Sequence, residues 1–214
     1  MKKIFITIVL LGLLMPTVYS QESSGQGFKP HSYYSLDWSI SIPLGDFNEF
    51  ISITSPAGGS FSGKYIIPQD IVLGFLIGWN NYYEKFARAT YYFEDGLAVT
   101  ASHYRYSYTI PFLFMMGYQF KPQNIISPFF TLGIGGDYME QHIIIQNWDF
   151  YDDQWGFVLT PEIGALIKFG PFSHWGAEIK ANYWFNTNSF SFGNKDYNLM
   201  QGINLSVGLS YLVR

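Results

Sequence analysis

The chain has 214 residues, no cysteine and a formal net charge of −4 at pH 7. The lack of cysteine excludes disulfides, thiolate metal sites and the lipid-modified cysteine of a lipoprotein. The negative net charge argues against a nucleic-acid partner. Aromatic residues make up 20% of the chain and charged residues only 13%, whereas ordinary globular chains are roughly 25% charged.

The first twenty residues are typical of a secretory signal peptide. Lys2 and Lys3 precede the apolar run IFITIVLLGLLM, which is too short to span a bilayer, because a spanning helix needs roughly 20 residues. Val18 and Ser20 occupy the small-residue positions expected before a cleavage site. We therefore predict a signal peptide over residues 1–20, a flexible leader over 21–31 and an exported domain over 32–214.

The first half of the exported domain contains three predicted strands. Apolar residues alternate with polar or small ones in YSLDWSISIPL and in IVLGFLIGW, and this period of two is typical of a strand with one apolar face. The third strand, over residues 82–93, alternates poorly. The connections are predicted to be a long loop over 45–69, a tight turn at Asn80-Asn81 and a turn at 94–96.

The second half contains five further predicted strands. They are VTASHYRYSYTIPFLFMMGYQF, SPFFTLGIGGDYMEQHIII, WGFVLTPEIGALIKF, WGAEIKANYWF and GINLSVGLSYLVR. Short turns are predicted at 121–126 and 170–173, a polar and aromatic loop at 146–154, and a long loop at 186–198.

Together these features predict an all-β fold, an antiparallel up-and-down transmembrane β-barrel of about eight strands in a bacterial outer membrane. Such a barrel is apolar outside and polar inside, and eight strands leave a lumen that side chains can fill. A soluble periplasmic binding barrel is the alternative, with its polar face in water. That face would normally be rich in Lys and Glu, whereas here it is mostly Gly, Ser, Thr and Asn.

Seven charged residues of both signs fall on the predicted lumen face. We expect them to pair as a structural network, because an unpaired buried charge costs several kcal/mol. A lumen filled in this way argues against a second alternative, a small-solute channel. The seven residues are Asp37, Arg105, Asp137, Glu162, Lys168, Glu178 and Lys180.

A third alternative is a lipid-modifying hydrolase or acyltransferase at the outer rim. His103 follows Ser102, and His142 lies two residues after Glu140, so both histidines fall near outer strand ends and close together. Adjacent sequence does not establish a nucleophile, base and acid in one constellation, and no metal-ligand spacing recurs. We therefore predict no catalytic, cofactor or metal site, and a role that is structural or consists of recognising an extracellular ligand through the outer loops.

Five strand segments carry a family resemblance. SISIPLGDF, LGFLIGWNNYYEKF, TASHYRYSYTIPFLFMMGYQF, SPFFTLGIGGDYMEQ and LTPEIGALIKFG, in that order, resemble the small outer-membrane β-barrel proteins of Bacteroidetes-type bacteria. The resemblance implies a barrel inserted among outer-membrane lipids by the assembly machinery, and it implies no catalytic residue. Arg214 departs from the pattern, since many such barrels end on Phe or Trp.

Overall fold

The computed structural model describes residues 28–92, 98–146, 148–192 and 195–214. The predicted signal peptide, residues 21–27 of the leader and the predicted turn at 94–96 lie outside these ranges. The strands are β1 (Ser32–Leu44), β2 (Ser55–Ile66), β3 (Ile71–Tyr92), β4 (Ala98–Gln119), β5 (Ile126–Ile145), β6 (Trp148–Lys168), β7 (Trp175–Asn186), β8 (Phe190–Phe192), β9 (Lys195–Tyr197) and β10 (Met200–Val213).

Eight of these strands close into an antiparallel barrel, which confirms the predicted up-and-down architecture. Strands β1 to β7 and β10 each pair with the next one in the chain, and β10 pairs with β1. Strands β8 and β9 form a separate small hairpin. An α-helix, α1 (Gly45–Phe50), follows β1, and a 3₁₀ turn (Pro68–Asp70) precedes β3.

The predicted loop over residues 45–69 was wrong, because this segment holds both α1 and β2. The sequence of β2, SPAGGSFSGKYI, consists mainly of small residues. Its outward face carries only Phe61 and Tyr65 as large side chains, both partly exposed. The apolar half of the alternation is therefore weak, although the backbone pairs along both neighbours.

The predicted turn at Asn80-Asn81 was also wrong. These residues pair with Thr109 and Tyr108 of β4, so the two strands predicted over 71–79 and 82–93 are one continuous strand, β3. The prediction missed β2 but divided β3 into two strands. Because these two errors cancel, the predicted number of barrel strands was still correct.

Two predicted loops in the second half contain strands. The segment predicted as a loop over 146–154 belongs mostly to β6, which begins at Trp148 and pairs with β5 as far as Ile145. The segment predicted as a loop over 186–198 includes the β8–β9 hairpin.

The barrel wall is uneven in height. Strands β3 to β6 have 20 to 22 residues each, whereas β1, β2, β7 and β10 have 12 to 14. We call the end with the short connections 67–70, 120–125 and 169–174 the inner end, and the opposite end the outer rim. The extra length of the four long strands lies beyond the rim, as a projecting sheet.

A belt of apolar side chains faces outward around the wall. Leu36, Phe114 and Ile163 are each about 60% exposed. Within the described residues, no helix is long and apolar enough to cross a membrane. Other exposed members of the belt are Trp38, Trp79, Phe112, Met116, Phe130, Ile134, Trp155, Phe157, Ile179, Leu205, Val207 and Leu209.

The lumen is filled in layers. A small apolar layer at the inner end consists of Tyr33, Ile66, Val72, Leu166 and Leu212. A larger apolar layer near the rim includes Phe47 and Phe50 of α1. Charged and polar side chains are buried elsewhere in the lumen, and they form the candidate site.

Candidate functional site

Five charged side chains form a network across the inner half of the lumen. The Nζ atom of Lys64 lies 3.0 Å from Oε1 of both Glu162 and Glu178. The Nζ atom of Lys180 lies 2.7 Å from Asp37 Oδ2 and 3.2 Å from Glu178 Oε1. None of the five side chains is more than 1% exposed. Because each lysine contacts more than one carboxylate, the network ties β1, β2, β6 and β7 together.

Hydroxyl groups from neighbouring strands add hydrogen bonds to the network. Ser60 donates a hydrogen bond to Asp37, Ser35 donates to Glu178 and Thr131 donates to Glu162, at 3.1 to 3.2 Å. Such bonds offset part of the cost of burying an ion pair, although Asp37 Oδ1 and Glu162 Oε2 have no hydrogen-bond partner among the described residues. These hydroxyls reach the carboxylates because every second residue of a strand points into the lumen.

Lys64 was not among the seven predicted lumen charges, because β2 was predicted as loop. A signal was nevertheless present: Ser60, Ser62 and Lys64 alternate with Phe61 and Tyr65. The two serines and Lys64 are buried, and both aromatic residues are exposed.

The structure brings four of the predicted charges into this network and separates the other three. Lys168 lies at the inner end, where its Nζ donates to the carbonyl oxygen of Phe28 at 2.7 Å. Asp137 accepts a hydrogen bond from Asn186. Arg105 lies at the rim. The seven predicted charges therefore occupy four separate places in the lumen.

The helix α1 covers the mouth of the lumen at the rim. The rings of Phe47 and Phe50 are fully buried. Phe47 meets Tyr82 edge-to-face with ring centroids 4.8 Å apart, and Phe50 meets Phe190 at 4.6 Å. These contacts make α1 a plug held by β3 and by the β8–β9 hairpin.

Two charged side chains fasten this plug to the long strands. Arg105 donates hydrogen bonds to the carbonyl oxygens of Glu49 and Phe50, at 3.2 and 2.8 Å. A cation is favoured there, since the last carbonyls of a helix carry partial negative charge. Glu84 accepts hydrogen bonds from the backbone N–H and the hydroxyl of Ser52, at 2.6 and 2.7 Å.

The two histidines of the alternative rim site lie on opposite faces of the wall. They are on the neighbouring strands β4 and β5, where Tyr106 pairs with His142. His103 belongs to the lumen-facing series of β4 and is 3% exposed, whereas His142 belongs to the outward series of β5. A single site containing both side chains is therefore not formed.

His103 lies on the lumen-facing side of β4, farther toward the outer end than Arg105, in an environment that keeps it neutral. Its ring stacks on Phe86 with centroids 4.4 Å apart, and its Nε2 accepts a hydrogen bond from Arg105 at 3.1 Å. Burial, together with the Arg105 guanidinium, lowers the pKa of His103 to about 4.

His142 lies outside the barrel beyond the apolar belt, between two carboxylates. Its Nε2 is 2.7 Å from Glu140 Oε1 and its Nδ1 is 3.1 Å from Asp149 Oδ1. Partial burial disfavours the charged imidazole, but the hydrogen bonds to Glu140 and Asp149 outweigh it and raise the pKa of His142. Within the described ranges, no three His, Asp or Glu side chains are grouped so that they could hold a metal ion.

Comparison with known proteins shows the fold. No family model and no curated protein matches the chain. Among solved structures, Neisserial surface protein A is 16% identical, with a TM-score of 0.50 over 85% of this chain and 96% of its own. A major outer membrane protein from Thermus thermophilus is 10% identical, with a TM-score of 0.52 over 85% and 99% of the two chains. The chain thus has the fold of outer-membrane β-barrels.

Proposed function

We propose that this chain is an integral outer-membrane β-barrel protein with a side-chain-filled lumen, and that its role is structural or is recognition at the outer rim. The observation that carries the proposal is its reversed polarity, with large apolar side chains outside and paired charges inside. Its partners are then the outer-membrane lipids and the machinery that inserts barrels. The strand motifs favour the small barrels of Bacteroidetes-type bacteria.

The apolar belt supports insertion in lipid. Trp155, Phe157 and Ile163 of β6 are 52% to 67% exposed, and a soluble monomer rarely exposes a continuous apolar surface larger than a few hundred Å². Aromatic residues border the belt as girdles, which is usual where a barrel meets both interfaces. Those toward the inner end are Tyr34, Tyr65, Tyr118, Trp175 and Tyr211, and those toward the rim are Trp79, Tyr108, Tyr138 and Trp155.

The filled lumen favours a non-conducting, non-enzymatic barrel over the alternatives. The charge network and the α1 plug oppose passage of a solute, and the separation of His103 from His142 opposes a shared catalytic site. A soluble binding barrel would place its apolar side chains inside and its charges in water, which is the reverse of the polarity seen here.

Recognition is best supported at the projecting sheet. The long strands exceed the short ones by six to ten residues, which in tilted strands corresponds to a height on the order of 20 Å. The outward face of this sheet combines aromatic rings and carboxylates: Tyr138 and Tyr151 both donate hydrogen bonds to Asp153. Such a surface is suited to contacts with an extracellular ligand, because Tyr is enriched at interfaces.

Heat-modifiable migration tests the proposal. The protein, expressed with its signal peptide, should remain in the membrane pellet after carbonate or urea washing, and the unboiled protein should migrate differently from the boiled protein in gel electrophoresis. Release by washing together with identical migration would contradict a membrane barrel.

Conductance across a planar bilayer separates the filled barrel from the channel. Protein that is heat-modifiable should produce no stepwise conductance. Regular conductance steps from such protein would contradict the filled lumen while leaving the membrane barrel intact.

A further inference from the structure

A cavity of about 40 Å³ lies in the lumen. Its wall is contributed by β3, β4, β5, β6, β7 and β10, and it includes both apolar and polar side chains. The polar ones are Asn80, Thr109, Asp137, Thr160, Asn182 and Asn204.

Three side-chain oxygens in this wall lack a hydrogen-bond partner within the described part of the chain. They are Oδ1 of Asp137, Asn182 and Asn204. Asp137 is 3% exposed and Asn182 is 8% exposed. Buried polar atoms are nearly always bonded. Other buried oxygens of the described lumen, such as Asp37 Oδ1 and Glu162 Oε2, also lack a hydrogen-bond partner, but these three line one cavity, and this grouping points to a ligand that attracts oxygen atoms.

Asp137 also differs from the other buried acidic residues in its lack of a lysine partner within the described residues. Of the four acidic residues buried in the described lumen, Asp37, Glu162 and Glu178 have a lysine within 4 Å. Asp137 forms no ion pair in the ranges that the structure describes; it accepts hydrogen bonds from the Asn186 side chain and from the backbone of Ile110. A buried carboxylate without an ionic partner is strongly disfavoured, so its charge has to be neutralised by a proton or by a bound cation.

We propose that this cavity binds one small monovalent cation of the Na⁺ class, held by Asp137 Oδ1 with the carboxamide oxygens of Asn182 and Asn204. Hard cations select carboxylate and carbonyl oxygens. One carboxylate and two neutral amides together carry a single negative charge, which a monovalent ion neutralises and a divalent ion would exceed.

The volume fits an ion with part of its hydration shell. One water molecule needs about 10 to 15 Å³ of cavity volume, so the 40 Å³ of this cavity accommodates an ion and about two waters. The Nε1 of Trp184, which lines the same cavity and has no acceptor in the described residues, is placed to donate to a water of that shell. The proposal depends on the barrel fold and not on any recognition role.

Binding of radioactive Na⁺ tests the site directly. Protein refolded into detergent micelles with ²²NaCl is dialysed at constant ionic strength with choline chloride as the balancing salt. We expect about one saturable Na⁺ per chain and a higher thermal midpoint in NaCl than in choline chloride. Asp137→Asn, checked for folding by heat-modifiable migration, should weaken binding at least about tenfold.

The matched control is Asp153→Asn, which removes a carboxylate from the outer face and should leave Na⁺ binding unchanged. If Asp137→Asn does not fold, Asn182→Ala and Asn204→Ala test the same cavity without removing its charge, and each should weaken binding. Absence of saturable binding by the wild-type protein, or equal binding by these cavity variants, would overturn the proposal.

Discussion

At the level of single residues, Lys64 shows how the lumen accommodates charge. It contacts two carboxylates, and its Nζ lies 3.9 Å from the centre of the Phe129 ring, with no exposure to solvent. Lys29 makes a shorter ion pair with Asp70, at 2.6 Å, but the two side chains are 42% and 28% exposed. The two lysines therefore allow a buried and an exposed ion pair to be compared in one protein.

Replacing Lys64 by Met should lower the free energy of unfolding by about 3–5 kcal/mol, because the surrounding carboxylates would lose a buried cationic partner. Lys29→Met should change it by no more than about 1 kcal/mol, since solvent screens an exposed pair. Urea unfolding of the refolded protein in micelles, followed by tryptophan fluorescence, measures both. Equal losses in the two variants would contradict the structural role assigned to the network.

The pKa values of the two histidines, which lie on opposite faces of the wall, should be shifted in opposite directions from the ordinary value of about 6.5. The pKa of His142 is raised by Glu140 and Asp149 despite partial burial. The pKa of His103 is lowered to about 4 by burial and by Arg105. NMR titration of the imidazole signals in micelles, assigned with His142→Gln and His103→Gln, should show this separation; coincident titration near pH 6.5 would contradict it.

These shifts affect stability in separate pH ranges. The stabilisation from His142 is complete below about pH 6.5 and is lost as the pH rises through its higher folded-state pKa. For His103 the order is reversed, because it is neutral in the fold: its contribution is present above about pH 6.5 and is lost as the pH falls toward 4. His142→Gln should therefore change the pH dependence of the free energy of unfolding only above about pH 6.5.

At the level of elements, the predictions succeeded where the outward positions of a strand carry large apolar residues and failed where they do not. Strand β2 was not predicted because Gly59 and Gly63 occupy outward positions between Ala57, Phe61 and Tyr65. The parts of β3 and β6 that belong to the projecting sheet lie beyond the apolar belt. Because neither of their faces must be apolar, their sequences resemble loops. Alternation thus identifies strands with a large apolar face better than glycine-rich strands or the projecting parts of β3 and β6.

The attachment of α1 can be tested through the Glu84 carboxylate. Glu84→Ala should speed amide hydrogen exchange at Ser52, because the N–H of Ser52 donates to that carboxylate at 2.6 Å. Exchange in strands β7 and β10 should stay slow, since their ladder hydrogen bonds are unaffected. Asp152→Ala, which removes an exposed acid from β6, serves as the control. Unchanged exchange at Ser52 in the Glu84 variant would show that the plug is held without this contact.

At the level of the whole molecule, closure of the barrel explains how much of the site was predictable. Alternation assigns a residue to the lumen, and six of the seven predicted charges are at most 3% exposed, Arg105 being partly buried at the rim. It does not say which strands face each other across the lumen. The grouping of Asp37 with Glu178 and Lys180, and the isolation of Asp137, depend on register and strand stagger, which only the closed structure defines.

Closure itself can be tested with a disulfide between the first and last strands. Ser35 of β1 pairs with Ser210 of β10, and their hydroxyls are 2.7 Å apart and buried in the lumen. Residues paired in this way have Cα atoms about 4.5 to 5.5 Å apart, which is within disulfide range. Because the chain has no cysteine, Ser35→Cys with Ser210→Cys should form one intramolecular disulfide on oxidation.

The cross-linked chain should migrate faster than the reduced chain even after boiling, because its ends stay joined. The control is Ser62→Cys with Ser210→Cys: Ser62 pairs with Ser35 from the other side, so Ser62 and Ser210 are two strand spacings apart, roughly 9 to 10 Å. This pair should stay reduced. Cross-linking of both pairs, or of neither, would contradict the β1–β10 pairing that leaves the barrel without a free edge in lipid.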